Sequence, residues 1–280
     1  MGTTGVTVAR GARQIPVQAF YPAISTGAGT APLTGGRPYP LIVFSPGFDI
    51  APAVYYALVE HWASLGYVVA VPQYPFTTAG SPGGVNESDI LQHPADLEAV
   101  IDRLVALSRR TSGALSGLVD PARIGVAGHS DGGDVTDAVV SDSCCIDPRI
   151  RAAAVFSGAE LASFGGTYGA PRVPLLVVQG DDDRINAPAC SEQIYDTAVA
   201  PKFYLDLHGA GHLPPYTGAS GGEEYQQAVF RISDLFWQGY LRGVSRAVTA
   251  LQAAQGPVPA GTLTSGGTVP LAGSCPGAPG

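Results

Sequence analysis

The sequence predicts an α/β protein: one mostly parallel sheet with helices on both faces. Three observations carry that expectation. Six near-continuous apolar runs read as parallel strands buried on both sides. Stretches of helical periodicity separate them. The chain also opens on two alternating stretches joined by a short turn, the pattern of a hairpin.

The opening hairpin is Val6–Ala9 and Gln14–Tyr21, turning at Arg10-Gly11-Ala12. A loop rich in Gly, Pro and Thr follows, from Gly27 to Pro40. The buried runs are then Leu41–Ser45, Tyr67–Val71, Ile124–Gly128, Ala152–Phe156, Pro174–Gln179 and Phe203–Leu207. Helices are expected at Ala53–Leu65, capped by Gly66, and at Ala95–Arg110, with Leu97, Val100, Ile101, Leu104 and Val105 on one stripe. Later helices are expected at Gly132–Val140, Pro188–Ala200 and Glu223–Tyr240. The alternation implies right-handed crossovers and eight strands, the first pair antiparallel. Residues 1–255 read as one domain. From Gly256 to Gly280 the chain turns to Gly, Pro, Thr and Ser without periodicity, which predicts a surface wrap held by Cys275.

Composition bounds the function. Hydrophobic residues make up 45% of the 280 and charged residues 14%, enough for a large core. A net charge of −8, with Lys202 the only lysine, excludes a phosphate-binding face or a polybasic lipid patch. No apolar run reaches the length of a membrane span. The first thirteen residues lack the charged-then-apolar order of a secretory signal. Four cysteines, Cys144, Cys145, Cys190 and Cys275, show no metal-ligand spacing. Neighbouring cysteines are awkward to bridge, so Cys144 and Cys145 are expected to pair elsewhere. The even count and the tail suggest an oxidising, extracytoplasmic setting, with any leader upstream of this sequence.

The chemistry concentrates in Gly128-His129-Ser130-Asp131-Gly132. The pentapeptide follows a strand and opens a helix, the context of a nucleophile elbow on an α/β-hydrolase sheet. Gly128 and Gly132 leave room for a strained backbone, and Ser130 stands at a helix N-terminus that favours developing negative charge. The bland alternative is a helix-capping serine. A serine nucleophile needs a base and an orienting carboxylate, expected later in the chain at carboxyl ends of strands. Of the five histidines, His61 and His93 read as solvated, His129 points elsewhere by elbow geometry, and His208 comes a turn too early. His212, in a Gly-rich loop, is the candidate base. The acid lies among Asp181, Asp182 and Asp183, which local composition does not separate. An oxyanion hole needs two fixed N–H donors: those of Asp131 and of Phe48, in the turn Ser45-Pro46-Gly47-Phe48. Phe48 would also offer substrate an aromatic wall. The Asp131 carboxylate is expected to point away, because a charge there would oppose catalysis.

These segments resemble the bacterial α/β-hydrolases related to platelet-activating-factor acetylhydrolase, dienelactone hydrolase and chlorophyllase, with cutinase-like polyester hydrolases further off. Val43 to Phe48, Leu65 to Pro72, Pro94-Ala95-Asp96, Asp120 to Gly133, Asp147 to Ala152, Gly180 to Asp183 and Gly209 to His212 carry the likeness. The resemblance implies that the fourth residue of the G-x-x-D turn, Asp183, is the acid. It departs from the polyester hydrolases where they carry a tryptophan and this chain has Ser157-Gly158-Ala159, and from dienelactone hydrolases proper in having a serine nucleophile. Trp62 and Trp237 read as packing residues. The expected activity is cleavage of a small or polymeric carboxylic ester by a monomer, with no metal or organic cofactor. An amidase or peptidase with the same triad, and a non-catalytic binding protein on this fold, are the alternatives.

Overall fold

The computed structural model describes residues 1–33, 38–199, 201–218 and 221–276. Its centre is an eleven-stranded sheet. In chain order the strands are β1 (Gly2–Arg10), β2 (Arg13–Tyr21), β3 (Gly27–Ala28), β4 (Tyr39–Ser45), β5 (Val68–Pro72), β6 (Val119–His129), β7 (Ile150–Phe156), β8 (Leu175–Gly180), β9 (Lys202–Leu207), β10 (Gly256–Val258) and β11 (Gly261–Ser265). Across the sheet the order is β10-β11-β9-β8-β7-β6-β4-β5-β2-β1-β3. The six strands from β5 to β9 run parallel, and β2 joins them antiparallel through Val17–Phe20 against Val69–Pro72.

The apolar runs became parallel strands because both of their faces are covered. On one face α2 (His93–Ser108), α3 (Asp131–Ser141) and α4 (Pro188–Thr197) bury Leu97, Ile101, Val135, Val139 and Ile194 against β6 to β8. On the other, α1 (Tyr56–Ser64), α5 (Glu223–Tyr240) and α6 (Ser245–Ala253) bury Trp62, Val229, Phe236, Trp237 and Leu251. Trp62 and Trp237 meet edge to face at 5.7 Å and are packing residues, as the sequence predicts.

The opening hairpin is tied to α2 by ions. Asp96, wholly buried, takes hydrogen bonds from Arg10 (2.6 Å) and Arg13 (2.6 Å), and Arg13 also grips Asp89 at 2.7 Å. Burying a carboxylate is costly unless it is paired, and two guanidinium groups meet that condition here.

Eleven strands replace the expected eight. The two-residue β3 extends one end, and β10 and β11 extend the other, where β11 pairs antiparallel with β9. The sheet therefore continues into the segment expected as a wrap. Only from 266 does the described chain run irregularly, laid along α4 by Tyr195 Oη to the Gly266 carbonyl, Val269 N–H to Asp196 and Ala272 N–H to Glu192. A Cys190–Cys275 disulfide fastens it there. Cys144 and Cys145, expected to pair elsewhere, are bonded to each other. The two remaining cysteines are taken, and a turn held by Cys145 N–H to the Asp142 carbonyl and Cys144 N–H to its carboxylate folds the neighbours together. Ala200, the expected end of α4, and residues 34–37 and 277–280 lie outside the described residues.

Candidate active site

The carboxyl ends of β4, β6, β8 and β9 converge at one end of the sheet. At the end of β6 the chain turns into α3 through Ser130, whose backbone takes φ +58° and ψ −127°. A non-glycine residue holds that conformation only when its surroundings over-determine it. Here the Ser130 N–H donates to the Phe156 carbonyl (3.0 Å), and the Gly133 and Asp134 N–H groups donate to the Ser130 carbonyl (2.6 and 3.0 Å). The glycines expected to make room do so: a methyl on Gly132 would run into the Ser45 carbonyl, and one on Gly128 into the Gly132 carbonyl.

The three adjacent aspartates part company. Asp182 is exposed and meets Arg184. Asp181 braces the next loop by accepting the Gly209 N–H at 2.6 Å. Asp183 turns inward, and its Oδ2 lies 2.7 Å from Nδ1 of His212. Its Oδ1 accepts the Ile185 and Asn186 N–H groups at 2.9 and 3.0 Å, and Oδ2 also accepts from Gln179 Nε2 at 3.1 Å. Burial by itself would raise the Asp183 pKa. The hydrogen bond and charge of His212, with the two backbone donors, outweigh burial and hold it below the usual carboxylate range. Asp183 is thus an ionised acceptor for the His212 ring.

The turn after β4 closes over the elbow. A methyl on Gly47 would lie 3.1 Å from Ser130 Cβ and 3.2 Å from the His129 carbonyl oxygen, so a larger residue would push the two loops apart by a few tenths of an ångström. Phe48 is half-buried beside it. Asp49, at φ +51°, is held by its N–H to the Thr77 carbonyl at 2.8 Å. Asp131 does not lie in water: it is 8% exposed, and burial together with the charge of Glu87 pushes its carboxyl up to about 7. The objection to a charge at this position is met by keeping the group protonated below neutral pH.

The other histidines distribute less simply than expected. His208 is exposed beside Asp206. His61 is not freely solvated but stacks on Phe230 and meets Asp234 at 2.8 Å. His93, expected in solvent, is buried, stacked on Tyr74 at 3.8 Å and 3.2 Å from Thr77 Oγ1, because its loop winds into a 3-10 turn that feeds α2. His129 is wholly buried, with its ring against Tyr55, His212 and Tyr216.

Several site residues were not foreseen. Gln179 had a signal, as the lone polar residue closing an apolar run. Its amide binds Asp183 and Ser191. Asn186 and Tyr216 had none. Tyr216 Oη donates to the Val178 carbonyl (3.1 Å) and therefore accepts from Ser157 Oγ (3.1 Å), while Asn186 Nδ2 donates to the Ser157 carbonyl. Ser157, at φ +49°, thus anchors the loop after β7.

The model of a family described as PETase, PET hydrolase-like, matches residues 3–233. The chain belongs to the PET hydrolase-like family. Curated relatives of this PET hydrolase-like chain include Cutinase 1 of Thermobifida cellulosilytica, 28% identical over 181 residues, covering 63% of this chain and 62% of that protein. A cutinase of Thermobifida fusca (strain YX) is 28% identical over 181 residues, covering 63% of this chain and 54% of that one. Cutinase 2 of T. cellulosilytica is 29% identical over 182 residues. The match thus spans between about half and less than two thirds of the length of the first two relatives. The family match ends at residue 233, within α5, before α6, β10 and β11.

Proposed function

We propose that this chain hydrolyses carboxylic esters, with Ser130 as nucleophile, His212 as base and Asp183 as the carboxylate that orients it. The observations that carry the reading are the 2.7 Å contact between an ionised, four-bonded Asp183 and His212, and a serine held on a strained elbow after β6. His212 Nε2 takes the Ser130 proton as Oγ attacks the ester carbonyl, and the N–H groups of Phe48 and Asp131 bind the oxyanion. Collapse expels the alcohol, which takes the proton from His212. Water, deprotonated in turn by His212, attacks the acyl-enzyme and releases the acid and Ser130. All three side chains come from one chain, so a monomer suffices.

The rim favours an apolar substrate. Ile185, two residues after Asp183, is 59% exposed, and Leu213, next to His212, is 39% exposed. With Phe48 they come from the three loops that follow β4, β8 and β9. Scattered apolar residues on a surface mean little, but three around one elbow suit the chain of a lipid-like or polymeric ester. The names of the cutinase relatives and of the family point the same way. The two disulfides suit an oxidising, extracytoplasmic setting.

Turnover of p-nitrophenyl esters of increasing acyl length, labelling by a fluorophosphonate probe, and both assays on Ser130→Ala test the reading. Turnover and labelling by the wild type, both lost in a folded Ser130→Ala, are expected. Activity on anilides equal to that on esters would favour an amidase, and absence of labelling would favour a binding protein. Asp183→Asn should cost up to roughly 10⁴ in kcat, as a wrong imidazole tautomer does in such triads, and Asp181→Asn and Asp182→Asn far less. A collapse at either neighbour with Asp183→Asn unharmed would overturn the assignment of the acid.

A further inference from the structure

His129 has no part in the chemistry above, yet it precedes Ser130 in the chain and contacts His212. Its ring is wholly buried and both nitrogens are engaged: Nδ1 is 2.8 Å from Tyr55 Oη, and Nε2 is 2.9 Å from the backbone carbonyl oxygen of His212. The second contact fixes the tautomer. A carbonyl can only accept, so Nε2 carries the hydrogen and Nδ1 is left as an acceptor. Tyr55 must then donate its hydroxyl hydrogen to Nδ1, and its oxygen accepts the Gly47 N–H at 3.3 Å. Every bond in the series has one permitted direction: from Gly47 N–H to Tyr55, from Tyr55 to His129, and from His129 to the His212 carbonyl.

The surroundings hold each member in the required protonation state. Burial keeps the Tyr55 hydroxyl protonated. Burial, and the charge His212 would carry, keep His129 neutral, well below the usual imidazole range. A protonated His129 would lose its acceptor nitrogen and set a cation 4.4 Å, ring to ring, from His212. The series begins in the loop that bears Phe48 and ends on the main chain of the proposed base, two loops that no other hydrogen bond joins directly among the described residues.

We propose that Tyr55 and His129 are positioning residues, a one-way hydrogen-bond relay that sets the His212 loop against the oxyanion turn. The proposal rests on the ester-hydrolase reading. Neither residue touches substrate in it. Both also have packing roles: Tyr55 lies 4.9 Å from Phe44, and His129 lies 4.7 Å from Tyr216. The test must therefore remove the relay without removing the rings.

Tyr55→Phe does so, since it deletes only the hydroxyl. It leaves Nδ1 and the Gly47 N–H unpartnered and frees His129 to take the other tautomer, which would turn a lone pair toward the His212 carbonyl. Misplacing a reacting group by a fraction of an ångström to an ångström lowers kcat by about tenfold to about a hundredfold, and that loss, with KM within about twofold, is expected. His129→Gln keeps an N–H₂ donor in reach of the His212 carbonyl and should recover much of the kcat that His129→Leu loses. Retained kcat in Tyr55→Phe, a loss confined to KM, or equal losses in His129→Gln and His129→Leu would overturn the relay. Nitrogen-15 NMR of the imidazole rings supplies a readout independent of turnover. A protected His129 Nε2–H is expected in the wild type, with mixed tautomers in Tyr55→Phe. If the wild type hydrolyses no ester, the functional reading fails while this spectrum still decides the relay: a proton on Nδ1 in the wild type would refute it.

Discussion

Replacing Cys190 and Cys275 together by alanine should lower the melting temperature by about 8 °C. The bridge closes a loop with a sequence separation of 85 residues. Cross-linking a loop of that length removes about 15 cal/mol/K from the unfolded chain, or about 4.6 kcal/mol at 25 °C. A chain of 280 residues unfolds with an entropy of about 0.59 kcal/mol/K, so the loss converts to about 8 °C. The second bridge provides the control. Cys144 and Cys145 are adjacent, so their bond closes almost no loop and by the same reasoning contributes under about 1 kcal/mol. Calorimetric melts of the two double-alanine variants and the wild type, all unreduced, give the comparison. A fall of equal size in both variants, or none at 190/275, would refute the chain-entropy argument. In that event the tail's hydrogen bonds to α4 hold it in place without the covalent link.

Other consequences can be read from the buried acids and the elbow. Burial pushes Asp137 up to about 8. The folded state therefore keeps a proton that the unfolded chain releases between roughly pH 4 and 8, and stability from this group is full below that interval and declines through it. Asp137→Asn removes the dependence, so wild type minus variant should change by on the order of 4 kcal/mol in urea unfolding between pH 5 and 8, and parallel curves would contradict it. Asp131, raised to about 7, ionises beside the proposed oxyanion donors as pH climbs past neutral. The rate of Asp131→Asn relative to wild type should accordingly rise between pH 6 and 8.5, and a constant ratio would disprove the link. Gly132→Ala should be insoluble or destabilised beyond about 4 kcal/mol, because the added methyl meets the Ser45 carbonyl. A soluble variant with an unchanged melt would mean that the elbow can relax.

What the sequence disclosed follows from how local each signal is. Strands such as Val68–Pro72 and Leu175–Gly180 are buried on both faces, so their composition announces them. The elbow is legible because small residues and a strand-to-helix change fall within five positions. β11 is not: Gly261–Ser265 buries only Gly261 and Leu263, and its place depends on the partner strand β9. Helix α6 buries just Ala247 and Leu251, too few to show a period. His93 reads as solvated because it stands beside Pro94 in a loop, whereas the elements that bury it arrive from elsewhere. The contact of Tyr55 with His129 spans 74 positions, and nothing near either residue hints at it.

The pairing of β11 with β9 bears on how the chain behaves while it is being made. Phe203, Tyr204 and Leu205 are buried residues on a strand whose outer side is matched only by residues 261–265. Until those residues leave the ribosome, β9 ends the sheet with a row of unpaired N–H and C=O groups, a template for any other extended chain. Nearly all of the core lies upstream and can form first. Residues 261–265 therefore act as a lid on aggregation. A nascent chain stalled before residue 261 would be close to native in its interior and adhesive at its margin.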